Sequence, residues 1–334
     1  MDFGSEKTRV LVGVRENDRS FRILGAGESP SMGIREGEIA HLGDAVESVM
    51  AAVEKAEDSA GLAVNTLYYN FDDAQIQSIR ACGSETIKGE GEIRASDIRQ
   101  AAETAQRLVG DYQKSIVYAR EINFLIDDRD VVTQPLGVFG RKLEIRLHML
   151  MARAEHCEAW RKLVERAGID RGVPVISAWS AAYAIVPSQD RRRKRLILDA
   201  GRDFLNIFIF GNNMISDHRV LLTKKADFPE AAGEWAAVVK EWLRRETGLE
   251  EMLVTGDLAD DEGLVGRLQP AASLPVRRAS PSGVAELGQP SYASLVGLLS
   301  VADEIKRKSP LLSDRGGLLA TAKKKAVSLF HEYF

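Results

Sequence analysis

Five histidines and two cysteines are the side chains in this sequence best suited to ligate a metal or act as a nucleophile, and their spacing supports neither. His41, His148, His156, His218 and His331 share no ligand spacing and form no evident triad. Cys82 and Cys157 stand too far apart to suggest a disulfide framework or a metal site, as expected of inert thiols in a reducing compartment. No catalytic residue and no metal ligand is expected.

Charge offers two further candidates. The run Arg191-Arg192-Arg193-Lys194-Arg195 fits either an anionic patch reader or a solvated connection, and its place between a helical segment and a strongly apolar strand favours the connection. The second candidate is the C-terminal stretch Leu318–Phe334. At 100° per residue Leu318, Leu319, Ala322, Ala326, Leu329, Phe330, Tyr333 and Phe334 gather on one side, with Lys324, Lys325, Ser328 and Glu332 opposite and Lys323 at the boundary. Such a helix can enter a lipid headgroup region while Lys323, Lys324 and Lys325 meet anionic lipid, each contributing about 1 kcal/mol near the surface. A helix folded back on the core carries the same stripe; the terminal position and the polar Lys306–Gly317 stretch before it favour the membrane.

A formal charge of −4 and a pI near 5.9 argue against nucleic-acid binding, which needs a concentrated cationic surface. The start MDFGSEKTR has no apolar signal stretch, and no window approaches the roughly 20 apolar residues that span a bilayer. A cytoplasmic body, peripheral on the inner face of the cell membrane, is the expected location.

The elements that position these residues read as mixed α/β in a chain of 334 residues, long enough for two subdomains. Arg9–Arg15 and Ser20–Ala26 predict a strand pair. Gly43–Ala60 predicts a helix burying Ala45, Val46, Val49, Ala52, Val53 and Ala56 and ending at Gly61. After Val64 come short apolar runs, a helix opened by Ser96 as its cap, and strands at Ser115–Ile126 and Lys142–Met151. Leu196–Ala200, Leu205–Phe210 and Met214–Leu222 predict an antiparallel meander, followed by a helix whose Trp235 and Trp242 share an apolar face. Met252–Thr255, Leu258–Leu268 and Leu274–Arg278 predict strand, helix and strand, and Tyr292–Ile305 a closing helix.

Several segments in this order resemble the bacterial cell-division protein FtsA family. Ser29–Glu38 (SPSMGIREGE) resembles a motif of its first subdomain, and Gln134–His148 (QPLGVFGRKLEIRLH) the turn and strand leaving its inserted subdomain. Leu163–Gly168 (LVERAG), Leu196–Ile209 (LILDAGRDFLNIFI), Val254–Gly263 (VTGDLADDEG) and Pro290–Leu299 (PSYASLVGLL) continue the likeness to the end of the body. The resemblance implies an actin-like (ribonuclease H-like) two-lobed α/β fold with an inserted α+β SHS2-type subdomain and no large insertion in the second lobe. Its parts would be residues 8–63 and 153–190 for lobe 1, 64–152 for the insertion, 191–305 for a reduced lobe 2, 306–317 for a linker and 318–334 for a membrane-targeting helix. The implied partners are an anionic membrane surface, further copies of the chain, and FtsZ or other division proteins, with no nucleic acid. A related implied reading is a pilus-platform protein of the PilM type.

In actin-like ATPases two glycine-containing hairpin turns bring backbone amides to the phosphates, and an Asp in each organises metal and water. Here the first strand and its Asp-x-Gly-Thr turn read as absent, because Thr8–Glu28 aligns with the family's second and third strands. The second turn reads Asp199-Ala200-Gly201-Arg202-Asp203-Phe204, with large and charged groups where small ones face phosphate, and Ser177 stands where an acidic residue often orients water. By resemblance Asp199, Gly201 and Gly256 are the candidate nucleotide contacts; no cofactor is expected beyond weak ATP and Mg binding, and the chain reads as a pseudo-ATPase. Only about 30 residues separate Leu222 from Val254, where the family inserts an FtsZ-recruiting subdomain.

Overall fold

The computed structural model describes residues 1–4, 6–17, 20–223, 228–260 and 262–308. The tail Leu318–Phe334, with every membrane-contact residue named above, lies outside the described residues. The chain opens with β1 (Asp2–Phe3), β2 (Lys7–Arg15), β3 (Phe21–Pro30), β4 (Ile34–Arg35), β5 (Glu38–Ile39), α1 (Leu42–Ala60) and β6 (Thr66–Phe71). Next come β7 (Gln77–Glu92), α2 (Ala95–Leu108), β8 (Lys114–Ile126), β9 (Asp130–Val132) and β10 (Phe139–Arg153). There follow α3 (Ala154–Arg166), β11 (Arg171–Ile176), α4 (Ser177–Ile185), β12 (Arg195–Ala200), β13 (Phe204–Gly211) and β14 (Met214–Leu222). The last are α5 (Phe228–Arg245), β15 (Glu251–Thr255), α6 (Glu262–Leu268), β16 (Val276–Arg278) and α7 (Ala293–Lys308).

Met1–Gln75 and His156–Arg307 form one compact unit made of two topologically matched halves. In the first half β1, β2 and β3 are antiparallel neighbours, β6 runs parallel to β11, and the Asn70 amide donates to the Met1 carbonyl at 3.0 Å, setting β6 beside the start of β1. The order is therefore β3-β2-β1-β6-β11. The second half repeats it as β14-β13-β12-β15-β16, with β15 parallel to both β12 and β16. Pairing of β6 with β11 assigns residues up to Gln75 to this unit, so the insertion begins at Ile76 and not at Val64. Likewise the first half begins with β1, ahead of residue 8.

Helix α1 buries Ala45, Ser48, Val49, Ala52, Val53 and Ala56, and ends where Gly61 turns left-handed (φ 65°) and its amide returns to Glu57 O. The helix sits directly on strand backbone: a Cβ at Gly27 of β3 would lie 1.9 Å from the Ala52 carbonyl oxygen, and one at Gly25 2.5 Å from that of Ala56. Small residues on both elements thus bring helix and sheet into close contact.

In the second half Leu196, Leu198, Leu205, Ile207 and Ile209 pack with Trp235, Val239 and Trp242 of α5, so both tryptophans serve the core. Among the described residues, the link from β14 to β15 carries α5 and no large insertion. Four of the five cations in the basic run have partners within the chain. Arg191 stacks over Tyr183 at 3.7 Å, Arg193 pairs with Glu250, Lys194 with Glu246 (2.8 Å) and buried Arg195 with Glu251 (2.6 Å). It is a pinned connection between the halves.

Ile76–Glu155 forms a second unit, an antiparallel sheet in the order β7-β10-β8-β9. Helix α2 covers one face, setting Ala101, Ala102 and Ala105 against Leu143, Ile145, Leu147 and Met149. A Cβ at Gly83 would lie 2.0 Å from the Ala101 carbonyl, the same seating used by α1. The expected Ser96 cap is corrected: Arg94 is the N-cap, and the Asp97 carboxylate accepts its amide at 2.8 Å. An Asp in the first turn offers the stronger acceptor for an orphan amide.

Candidate functional site

The strand order reverses at β1/β6 in one half and at β12/β15 in the other, and open α/β sheets bind ligands at such points. A cavity of about 170 Å³ lies there, lined by Asp2, Asp72, Asp199 and Asp257 among other residues. Asp199 closes β12, Gly201 begins the turn after it and Gly256 follows β15, so all three residues expected from the sequence meet in this one cavity.

Asp2 and Asp72 were not expected there. The reading that the first strand is missing is corrected: Asp2–Phe3 pairs with β2 through Asp2↔Arg9 and Phe3↔Thr8, and Asp2-Phe3-Gly4 supplies the Asp-x-Gly of a first turn. Two residues carry no periodicity, but the Asp-x-Gly triplet itself was a legible signal. Asp72 comes into the site because β6 lies beside β1, a long-range relation no local pattern encodes.

Asn70 Nδ2 donates to Asp2 Oδ1 at 2.9 Å, and Ser180 Oγ donates to Asn70 Oδ1 at 2.8 Å, which fixes the amide. Burial pushes the Asp72 carboxyl up to about 7, against hydrogen bonds from Ser177 and Asn206 that favour its charged form. Its Oδ1 is buried with no hydrogen-bond partner among the described residues. Asp199, 7% exposed, is pushed well above the usual carboxylate range by burial first, then by the neighbouring charges of Asp72, Asp2 and Asp257. Burial and crowding of carboxylates thus raise both Asp72 and Asp199 above the usual carboxylate range.

The residues present do not fit a magnesium-bound triphosphate. The glycine amides of the three turns are committed: Gly4 donates to Lys7 O (3.1 Å), Gly201 to Phe204 O (2.9 Å) and Gly256 to Pro290 O (3.2 Å). The nearby cations are engaged with carboxylates, Lys7 and Arg9 with Glu28 (2.6 and 3.3 Å) and Arg202 with Glu6. A volume near 170 Å³ also falls below the roughly 300 Å³ at which ligand pockets begin. What the arrangement can do is hold its two halves against each other.

A family model for the SHS2 domain inserted in FtsA matches residues 73–151. The cell division protein FtsA of Pseudomonas aeruginosa is 22% identical over 312 residues, covering 92% of this chain and 72% of that protein. FtsA of Bacillus subtilis is 28% identical over 228 residues, covering 66% of this chain and 50% of that protein. Among solved structures, a chain of the PilM–PilN type IV pilus biogenesis complex superposes with a TM-score of 0.65 at 13% identity, covering 90% of this chain and 96% of that one. Matched halves with an SHS2 insertion define an actin-like protein of the SHS2-bearing class. Within it, the chain is similar to FtsA over 92% of its length, and residues 73–151 match that family's inserted SHS2 domain.

Proposed function

We propose that this chain is an FtsA-like division adaptor that self-associates and tethers a cytoskeletal or envelope machine to the inner face of the cytoplasmic membrane without hydrolysing ATP. The observation that carries the nucleotide half of this reading is the commitment of the Gly4, Gly201 and Gly256 amides to the chain's own carbonyls. The cations that line the same cavity support it, since Lys7 and Arg9 are paired with Glu28 and Arg202 with Glu6. The membrane half rests on the amphipathic pattern of Leu318–Phe334 and its three lysines. No helix among the described residues is long and apolar enough to cross a membrane.

One such helix binds lipid reversibly, and self-association would multiply it into stable attachment. FtsZ or another division protein is the proposed cargo. The test is co-sedimentation with anionic vesicles of the full chain, a chain ending at Gly317 and Phe330→Asp. Pelleting of the full chain alone is expected; equal behaviour of all three would remove the tether.

A second reading, a PilM-like assembly protein of a pilus or secretion platform, draws on one observation. The second half lacks a large insertion, and the solved PilM–PilN chain is matched over 96% of its length. Saturable ATP binding together with no vesicle binding would favour it.

A further inference from the structure

Two side chains of the β12–β13 turn reach from the second half to the first. The Phe204 ring lies against Gly37, where a Cβ would stand 2.2 Å from the ring carbons, and Arg202 pairs with Glu6. Gly37 sits in the two-residue turn between β4 and β5, where Glu36 and Gly37 both have positive φ (48° and 71°). That turn geometry calls for glycine, and the absent side chain leaves the space the ring fills. Glu6 lies between β1 and β2, so the two contacts engage two separate loops of the first half.

The turn that carries them is anchored from behind. Thr223 Oγ1 donates to the carbonyls of Gly201 (3.2 Å) and Arg202 (2.5 Å), and the Thr223 amide donates to Asp203 O at 2.8 Å. With its Gly201 amide returned to Phe204 O, the turn is closed on itself and fixed to β14. It projects an aromatic ring and a guanidinium from a fixed base.

We propose that the Gly201–Phe204 turn is a built-in bridge that does for this chain what a bound nucleotide would do between two lobes. Phe204 is the main tie, because its contact is close and apolar. Arg202 is secondary, since the Arg202–Glu6 pair is half exposed and such pairs contribute little. The chain therefore keeps one closed arrangement of its halves whether or not nucleotide is present, and its assembly is controlled by something other than ATP. This rests on the reading of the cavity as nucleotide-silent.

Hydrogen–deuterium exchange of the full chain tests it, with Phe204→Ala, Phe204→Leu and Arg202→Gly, each with and without ATP and Mg²⁺. The bridge predicts that amides of residues 34–40 exchange at least about tenfold faster in Phe204→Ala. Phe204→Leu should restore most of that protection and Arg202→Gly should lose little, while the β12–β15 core stays protected throughout and shows the fold intact. Wild-type protection of residues 34–40 in Phe204→Ala would overturn the bridge and leave the nucleotide-silent reading standing. New protection of the wild-type turns on adding ATP and Mg²⁺ would overturn the nucleotide-silent reading, and the bridge with it.

Discussion

Gly256 lies directly on Asp199: a Cβ built at Gly256 would stand 2.7 Å from Asp199 Oδ1 and 2.6 Å from the Ala200 carbonyl oxygen, and its φ is +92°. The loop after β15 is thereby seated on the end of β12. Gly256→Ala should cost about 2–4 kcal/mol, from overpacking and a left-handed backbone together. Chemical denaturation should show this as a lower midpoint at unchanged slope.

The Asp72 carboxyl gives a pH dependence with a definite sign. Its native value of about 7 lies above the ordinary 3.8, so the native state holds the proton more tightly than the unfolded chain. The group's contribution is fully present below about pH 4 and is lost as pH rises through 7. Asp72→Asn should therefore stabilise the protein by about 1–3 kcal/mol at pH 8, short of the roughly 4 kcal/mol the full difference would give, and have little effect at pH 4. Relief of Asp199, which feels the Asp72 charge, acts in the same direction. Melting curves across pH 4–8 for both proteins provide the measurement.

The seating of α1 on β3 separates two glycines of similar appearance in sequence. Gly27→Ala drives a methyl to within 1.9 Å of the Ala52 carbonyl and should cost about 3 kcal/mol or more. Gly43→Ala, with nothing within 4 Å, should instead stabilise by about 0.5–1 kcal/mol through helix propensity. Equal effects of the two changes would contradict the packing described.

Arg195 is 3% exposed and joins Glu251 to the carbonyls of Asp190 and Arg193. Arg195→Ala should cost about 3 kcal/mol, because it leaves a partly buried carboxylate and two carbonyls less well paired. Exposed Arg192→Ala should change stability by less than about 0.5 kcal/mol.

What was legible in the sequence had local periodicity behind it. The α1 stripe and its stop at Gly61, the β12–β14 meander and the shared face of Trp235 and Trp242 all follow from spacing within one element. What was not legible depends on distant partners. The basic run is neutralised by glutamates more than 50 residues away, Arg193 by Glu250 and Lys194 by Glu246. The insertion boundary depends on β6 pairing with β11 across the whole second unit, and β1 is too short to carry a pattern. Asp72 was therefore invisible and Asp2 legible only through its Asp-x-Gly triplet, while Asp199, Gly201 and Gly256, named from the sequence, line the cavity.

The most direct test of a nucleotide-silent adaptor is titration calorimetry of the full chain with ATP and Mg²⁺ at neutral pH. The committed glycine amides and the paired cations predict no saturable binding up to about 1 mM, a standard free energy weaker than roughly −4 kcal/mol. Saturable binding in the micromolar range would contradict the account, because it would require the Gly4, Gly201 and Gly256 turns to open toward a phosphate that the present geometry excludes.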